Sequence, residues 1–184
     1  MLKDLPVEVK SLKEEGIEVD IEEDGKTFEE NSKKKATEIA NILKNKGCSD
    51  YIVMADDSGL EVDFLDGAPG VYSARYAGEH GNDILNNEKL LGELKGVPAE
   101  RRGANFVCQL ALMDSKGNYI SIRGEVKGRI LESLSGKDGF GYDPLFYYEP
   151  LGKSFGELTA EEKNKVSHRS VALNKFRDKI KEIL

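Results

Sequence analysis

Between Phe106 and Ile122 the chain alternates in a way that a β-ribbon satisfies. Phe106, Cys108, Leu110 and Leu112 interleave with Val107, Gln109, Ala111 and Met113. Successive side chains of a strand point to opposite faces, so the two sets become the two sides of one strand. Asp114-Ser115-Lys116-Gly117-Asn118 reads as a turn, and Tyr119, Ile120 and Ile122 begin the return strand. Around this hairpin the pattern changes to helical. Thr27 and Glu30 form a capping-box pair, Ala36, Ile39, Ala40 and Leu43 follow at helical spacing, and Gly47 stops the run. Asn82 to Lys95 is helical through Ile84, Leu91 and the Leu90/Leu94 pair. Thr159 and Glu162 form a second capping box, and a last helix from about Ser167 carries Leu173, Phe176, Ile180 and Ile183 on one face. Short strands are expected at Val7–Val9, Tyr51–Ala55 and Leu145–Tyr148. Strands interleaved with helices predict an α/β protein with a mixed sheet, and no repeat or linker divides the 184 residues.

Composition narrows the function classes. The formal net charge of −7 argues against a general duplex-DNA binder, which needs a basic face to displace counterions. No apolar run is long enough to span a membrane, and Met1 to Pro6 lacks a signal-peptide pattern. Two cysteines (Cys48, Cys108) and two histidines (His80, His168) lie too far apart for a local zinc motif. The expectation is a cytoplasmic enzyme or small-molecule binder whose metal, if any, is held by oxygen.

Four stretches carry candidate chemistry. Asp56-Asp57-Ser58-Gly59 follows the apolar run Tyr51–Ala55, so polar groups are expected at a strand end. Adjacent carboxylates there point opposite ways, and one can hold Mg²⁺ or activate water; a turn between strands explains the same residues. Gly136-Lys137-Asp138-Gly139-Phe140-Gly141-Tyr142-Asp143-Pro144 can present a ring to a nucleobase, or be a surface loop with aromatics tucked into the core. Lys163, Lys165, His168 and Arg169 flank the start of the last helix, where backbone N–H groups attract anions, though a solvated helix start accounts for them too. Arg75 fits a phosphate contact or a surface ion pair. Glu14 to Asp24 carries seven acids and no base, as a solvated surface run does.

In their joint order, Glu22–Asn31, Ala55–Leu60, Gly67–Tyr76, Gly139–Pro144 and Glu161–Arg169 resemble the Ham1/RdgB family, the inosine/xanthosine triphosphate pyrophosphatases. The resemblance runs from Glu8 onward. It implies an ITPase-like fold of two lobes around a nucleotide cleft, in one domain spanning residues 1–184. It also implies Mg²⁺-dependent homodimers that cleave ITP, dITP and XTP to the monophosphate and pyrophosphate. By position, Asp57 is implied as proton acceptor and metal ligand, with Glu22 (or its neighbour Glu23) as the other metal carboxylate. Ser58 and Arg75 are implied at the phosphates. Phe140 is implied as the stacking ring, with Gly141, Tyr142 and Asp143 beside it. Lys163, His168 and Arg169 complete the implied nucleotide site, Arg169 or nearby N–H groups reading the 6-oxo group.

One departure stands out. The family opens with a strand running into a Thr-x-Asn-x-x-Lys phosphate loop, and Met1-Leu2-Lys3-Asp4-Leu5 looks like the tail of the helix that follows that loop. The pattern Asn-x-x-Lys recurs at Asn31–Lys34 and Asn41–Lys44, but inside an expected helix. The domain thus reads as truncated at its N-terminus relative to the family: either the true start lies upstream of Met1, the favoured reading, or the truncation is real, and a catalytically impaired nucleotide-binding remnant is then the alternative to an active enzyme.

Overall fold

The computed structural model describes residues 6–180. Its centre is the expected hairpin, β2 (Gly103–Asp114) and β3 (Tyr119–Ile130), paired antiparallel from Gly103↔Arg129 to Met113↔Tyr119. Asp114 closes the turn by accepting from the N–H groups of Lys116 and Asn118. On the other side of β2 lies β1 (Ile52–Val62), also antiparallel, from Ile52↔Asp114 to Val62↔Ala104. Two short strands, β4 (Phe146–Tyr148) and β5 (Lys153–Ser154), complete the order β1-β2-β3-β4-β5.

Helices cover both faces of the hairpin. On one, α1 (Phe28–Asn45) sets Ala36, Ile39, Ala40 and Leu43 against Val53, Ala55 and Ala111. On the other, α4 (His168–Ile180) sets Ala172, Phe176 and Ile180 against Cys108, Leu110, Leu112 and Ile122. The close seat of α4 depends on Gly124, where a Cβ would overlap the backbone nitrogen of Ala172 and the carbonyl of His168. Beyond Val62, α2 (Asp83–Glu93) contributes Leu90 to a second lobe whose core also holds Leu60, Phe106, Val126, Phe146 and Phe155. A short α3 (Ala160–Val166), started by the Thr159/Glu162 capping box, leads into α4.

Three expectations change. All four strand pairings among the described residues are antiparallel, where a mixed sheet was expected. A helix between strands yields a parallel pair only when it carries the chain back across the sheet; here α2 packs at the Val62 end, and β2 enters from that same end. The Asp56-Asp57-Ser58-Gly59 stretch lies in the middle of β1, not at its end, because continuous pairing with β2 overrides its local turn preference. Val7 and Val9 are exposed and form no strand, having no partner among the described residues. The opening-helix reading of Met1–Leu5 and the core position of Ile183 lie outside the described residues.

Candidate active site

Placing the two aspartates within a strand sorts them onto opposite faces. Asp57 faces α1 and is only 7 % exposed, while Asp56 is exposed on the side of α4. One helical turn apart on α1, Asn31 and Lys35 meet Asp57. Asn31 Nδ2 donates to Asp57 Oδ2 at 2.9 Å, and Lys35 Nζ lies 3.8 Å from Asp57 Oδ1. The same ammonium pairs with Glu23 Oε1 at 2.9 Å. The chain at Glu23 is tied down twice more: Asn31 Oδ1 accepts from the Gly25 N–H at 2.8 Å, and Arg75 Nη2 donates to the Glu23 carbonyl at 3.0 Å. Burial pushes the Asp57 carboxyl above the usual carboxylate range, and Glu23 adds to this, while the Asn31 hydrogen bond and Lys35 oppose it. The result is a desolvated carboxylate held beside one cation and a second carboxylate.

A second cluster gathers where β2, α3 and α4 meet the Gly139–Pro144 loop. The Phe140 ring is 62 % exposed, with Lys163 Nζ 4.4 Å and the Arg169 guanidinium 5.8 Å from its centroid. Asp143 is buried, pairs with Lys163, and accepts from the Phe140 N–H at 2.8 Å. His168 is buried against Phe106, with ring centroids 5.0 Å apart, and its Nδ1 has no hydrogen-bond partner. Burial first, then the neighbouring Arg169 and Lys163 charges, hold His168 down at about 3, so the imidazole is neutral. Two links join the clusters. Arg169 Nη2 approaches Asp56 Oδ2 at 3.4 Å, and the Tyr142 hydroxyl donates to the Ser73 carbonyl at 2.8 Å, Ser73 itself accepting from the Leu60 N–H on β1.

The structure thus brings Asp57 to Glu23 and Lys35, and brings Phe140, Asp143, Lys163, His168 and Arg169 together. Glu22 is exposed and makes no hydrogen bond or ion pair among the described residues, so Glu23 takes the position beside Asp57. Ser58 shares the Asp56 face, its hydroxyl donating to Asp56 Oδ2 at 3.0 Å. Tyr142 is buried with its hydroxyl occupied, and Gly141 meets α2 through both of its backbone polar groups. Asn31 and Lys35 were not singled out for this position from the sequence. Their signal is geometric: counted back by four from the buried Ile39, they continue the covered stripe of α1 with polar groups.

The sequence matches the Ham1 family over residues 1–179. The chain belongs to the Ham1 family. Among relatives of this Ham1-family chain, the dITP/XTP pyrophosphatase of Clostridium perfringens is 60 % identical over 184 residues, which is 100 % of this chain and 90 % of that one. The dITP/XTP pyrophosphatase of Clostridium tetani is 49 % identical, again over all of this chain and 89 % of its own length. Two solved Ham1 structures are similar in fold. The Coxiella burnetii HAM1 protein superposes with a TM-score of 0.86 at 37 % identity, covering 98 % of this chain and 89 % of that one. The Staphylococcus aureus Ham1 protein gives 0.83 at 41 % identity, covering 90 % and 82 %. No helix among the described residues is long and apolar enough to cross a membrane.

The first cluster also fits a divalent metal of the kind such an activity uses. Its donors are carboxylate oxygens, with neither imidazole nor thiolate beside them, a set that suits a hard cation. No group of three or more His, Cys, Asp or Glu side chains among the described residues forms a ready-made metal cage. A divalent metal held by these two carboxylates would need water and substrate oxygens to complete its shell, and would share them with the Lys35 ammonium.

Proposed function

We propose that this chain hydrolyses non-canonical purine nucleoside triphosphates, dITP, ITP and XTP, to the monophosphate and pyrophosphate, and so clears them from the nucleotide pool. The observation that carries the reading is the buried Asp57, held by Asn31 and Lys35, in a chain 60 % identical along its whole length to a dITP/XTP pyrophosphatase.

Asp57 accepts the proton of the attacking water. The water oxygen adds to phosphorus in the α–β anhydride, the bridging P–O bond breaks, and pyrophosphate leaves. Burial makes Asp57 a stronger base than a solvated carboxylate, and Lys35 and Asn31 keep it ionised and aimed. Asp57 and Glu23 would hold Mg²⁺, which when bound supplies charge neutralisation on the phosphate oxygens. Arg75, bonded to the Glu23 carbonyl, and Ser58, bonded to Asp56 on the other face of β1, are the groups we assign to the phosphates. We assign the exposed Phe140 to the purine as its stacking partner, and Lys163 and Arg169, which lie over that ring, as donors to the base. A donor positioned for a 6-oxo group is left unpaired by adenine, and this mismatch disfavours ATP.

Two further proposals come with the family: the active form is a homodimer, and it works in the cytoplasm. Sedimentation of the pure protein checks the first and localisation of a tagged chain the second. The deciding experiment is pyrophosphate release from ITP, XTP, dITP, ATP and GTP with Mg²⁺. Turnover of the first three alone is expected. Tight ITP binding without turnover would instead favour the nucleotide-binding remnant.

A further inference from the structure

Phe140 is largely solvent-exposed, so core packing does not hold its ring in place. Its direction is set by the peptide units on either side. The unit before it is anchored within the loop, the Phe140 N–H donating to Asp143. The unit after it is anchored from α2: Asp83 Oδ2 accepts from the Gly141 N–H at 2.6 Å. Four residues along the same helix, Asn87 Nδ2 donates to the Gly141 carbonyl at 2.9 Å. Gly141 adopts a left-handed φ of +60°, so one face of α2 grips both sides of the reversal that follows the ring.

Asn87 ties α2 to this loop at a cost. It is only 7 % exposed, and its Oδ1 is buried without a partner. An unsatisfied buried acceptor destabilises a fold, and the Nδ2 of the same carboxamide offsets this with bonds to the Asp83 carbonyl at 2.8 Å and the Gly141 carbonyl at 2.9 Å. Of these two bonds, the one that leaves α2 holds the carbonyl of the residue next to the Phe140 ring.

We infer that Asp83 and Asn87 are positioning residues for nucleotide recognition, a clamp on α2 that presents the Phe140 ring to the purine. This rests on the proposed stacking role of Phe140. Neither residue touches the base; both act through the Gly141 peptide.

The chain contains no tryptophan, so Phe140→Trp introduces a single fluorescent reporter at the stacking position. ITP is titrated into this variant in EDTA, which prevents turnover, and the emission is followed. Adding Asn87→Leu or Asp83→Ala is expected to weaken ITP binding by about tenfold each, the scale of one lost hydrogen bond. Asn87→Leu removes the orphaned acceptor together with both Nδ2 bonds, so its melting temperature should change little. Asp83→Asn keeps an acceptor and should restore binding. Unchanged ITP affinity in both clamp variants overturns the inference. So does a loss of affinity that follows a loss of melting temperature in both, because that is what a merely structural role produces. If ITP leaves the emission of Phe140→Trp itself unchanged, the stacking role fails and the clamp with it.

Discussion

His168 makes acid stability a quantitative probe of this fold. The ring is 5 % exposed, stacked on Phe106 and flanked by Arg169 and Lys163, and it is held down at about 3 against 6.5 for a free imidazole. The direction follows from linkage. Below pH 6.5 the unfolded chain binds a proton at this residue that the folded chain refuses, so the folded state loses stability as the pH falls. The loss begins near 6.5 and continues down to about 3. At about 1.36 kcal/mol per pH unit, lowering the pH from 6.5 to about 5 removes roughly 2 kcal/mol through this one group. For a chain of 184 residues that corresponds to about 4–8 °C in melting temperature. His168→Gln cannot take up the proton. Urea unfolding of both proteins at the two pH values isolates the term, because every other titrating group is common to them. The wild type should lose about 2 kcal/mol more than the variant over this interval. Equal losses would mean that His168 protonates readily within the fold, and would refute the burial argument.

Three other expectations test the site and its support. Asp57→Asn should lower turnover by about 10²–10⁴; because burial disfavours the charged form of Asp57, the variant should also melt higher than the wild type at neutral pH, and a lower melting point would contradict that electrostatic account. Glu23→Gln should raise the Mg²⁺ concentration needed for half-maximal activity by about tenfold or more, whereas Glu22→Gln should not; the reverse order in a metal titration would return the ligand role to Glu22. Gly124→Ala should destabilise the fold by about 1–3 kcal/mol, since the new methyl group meets α4 backbone that has no side-chain freedom to yield; urea unfolding reads this directly.

Much of the scaffold was legible locally. The hairpin, α1, α2 and α4 each announce themselves through a period of two or of 3.6 and through caps at their ends, and the structure places all four where the pattern does. Where expectation and structure part, the deciding contact is remote in sequence. The extent of β1 is such a case: Asp56 to Gly59 look like a turn by composition, and only an eleven-residue register with β2 makes them strand. The orientation of β2 is another, because it depends on α2 packing at the end of the sheet.

Taken alone, the sequence determined the family of this protein, since five motifs in one order survive without knowledge of any contact. It also singled out Asp57 and Phe140 as candidates, through the resemblance those motifs carry. The tertiary structure decided which groups surround them. It set Glu23 against Lys35 while leaving Glu22 exposed, brought Asn31 and Lys35 to a carboxylate on another element, and bonded Asp83 and Asn87 to the loop that carries Phe140. The reason is physical: secondary structure follows from periodicities that neighbours along the chain carry, whereas desolvation and pairing of a charge depend on what the fold packs against it.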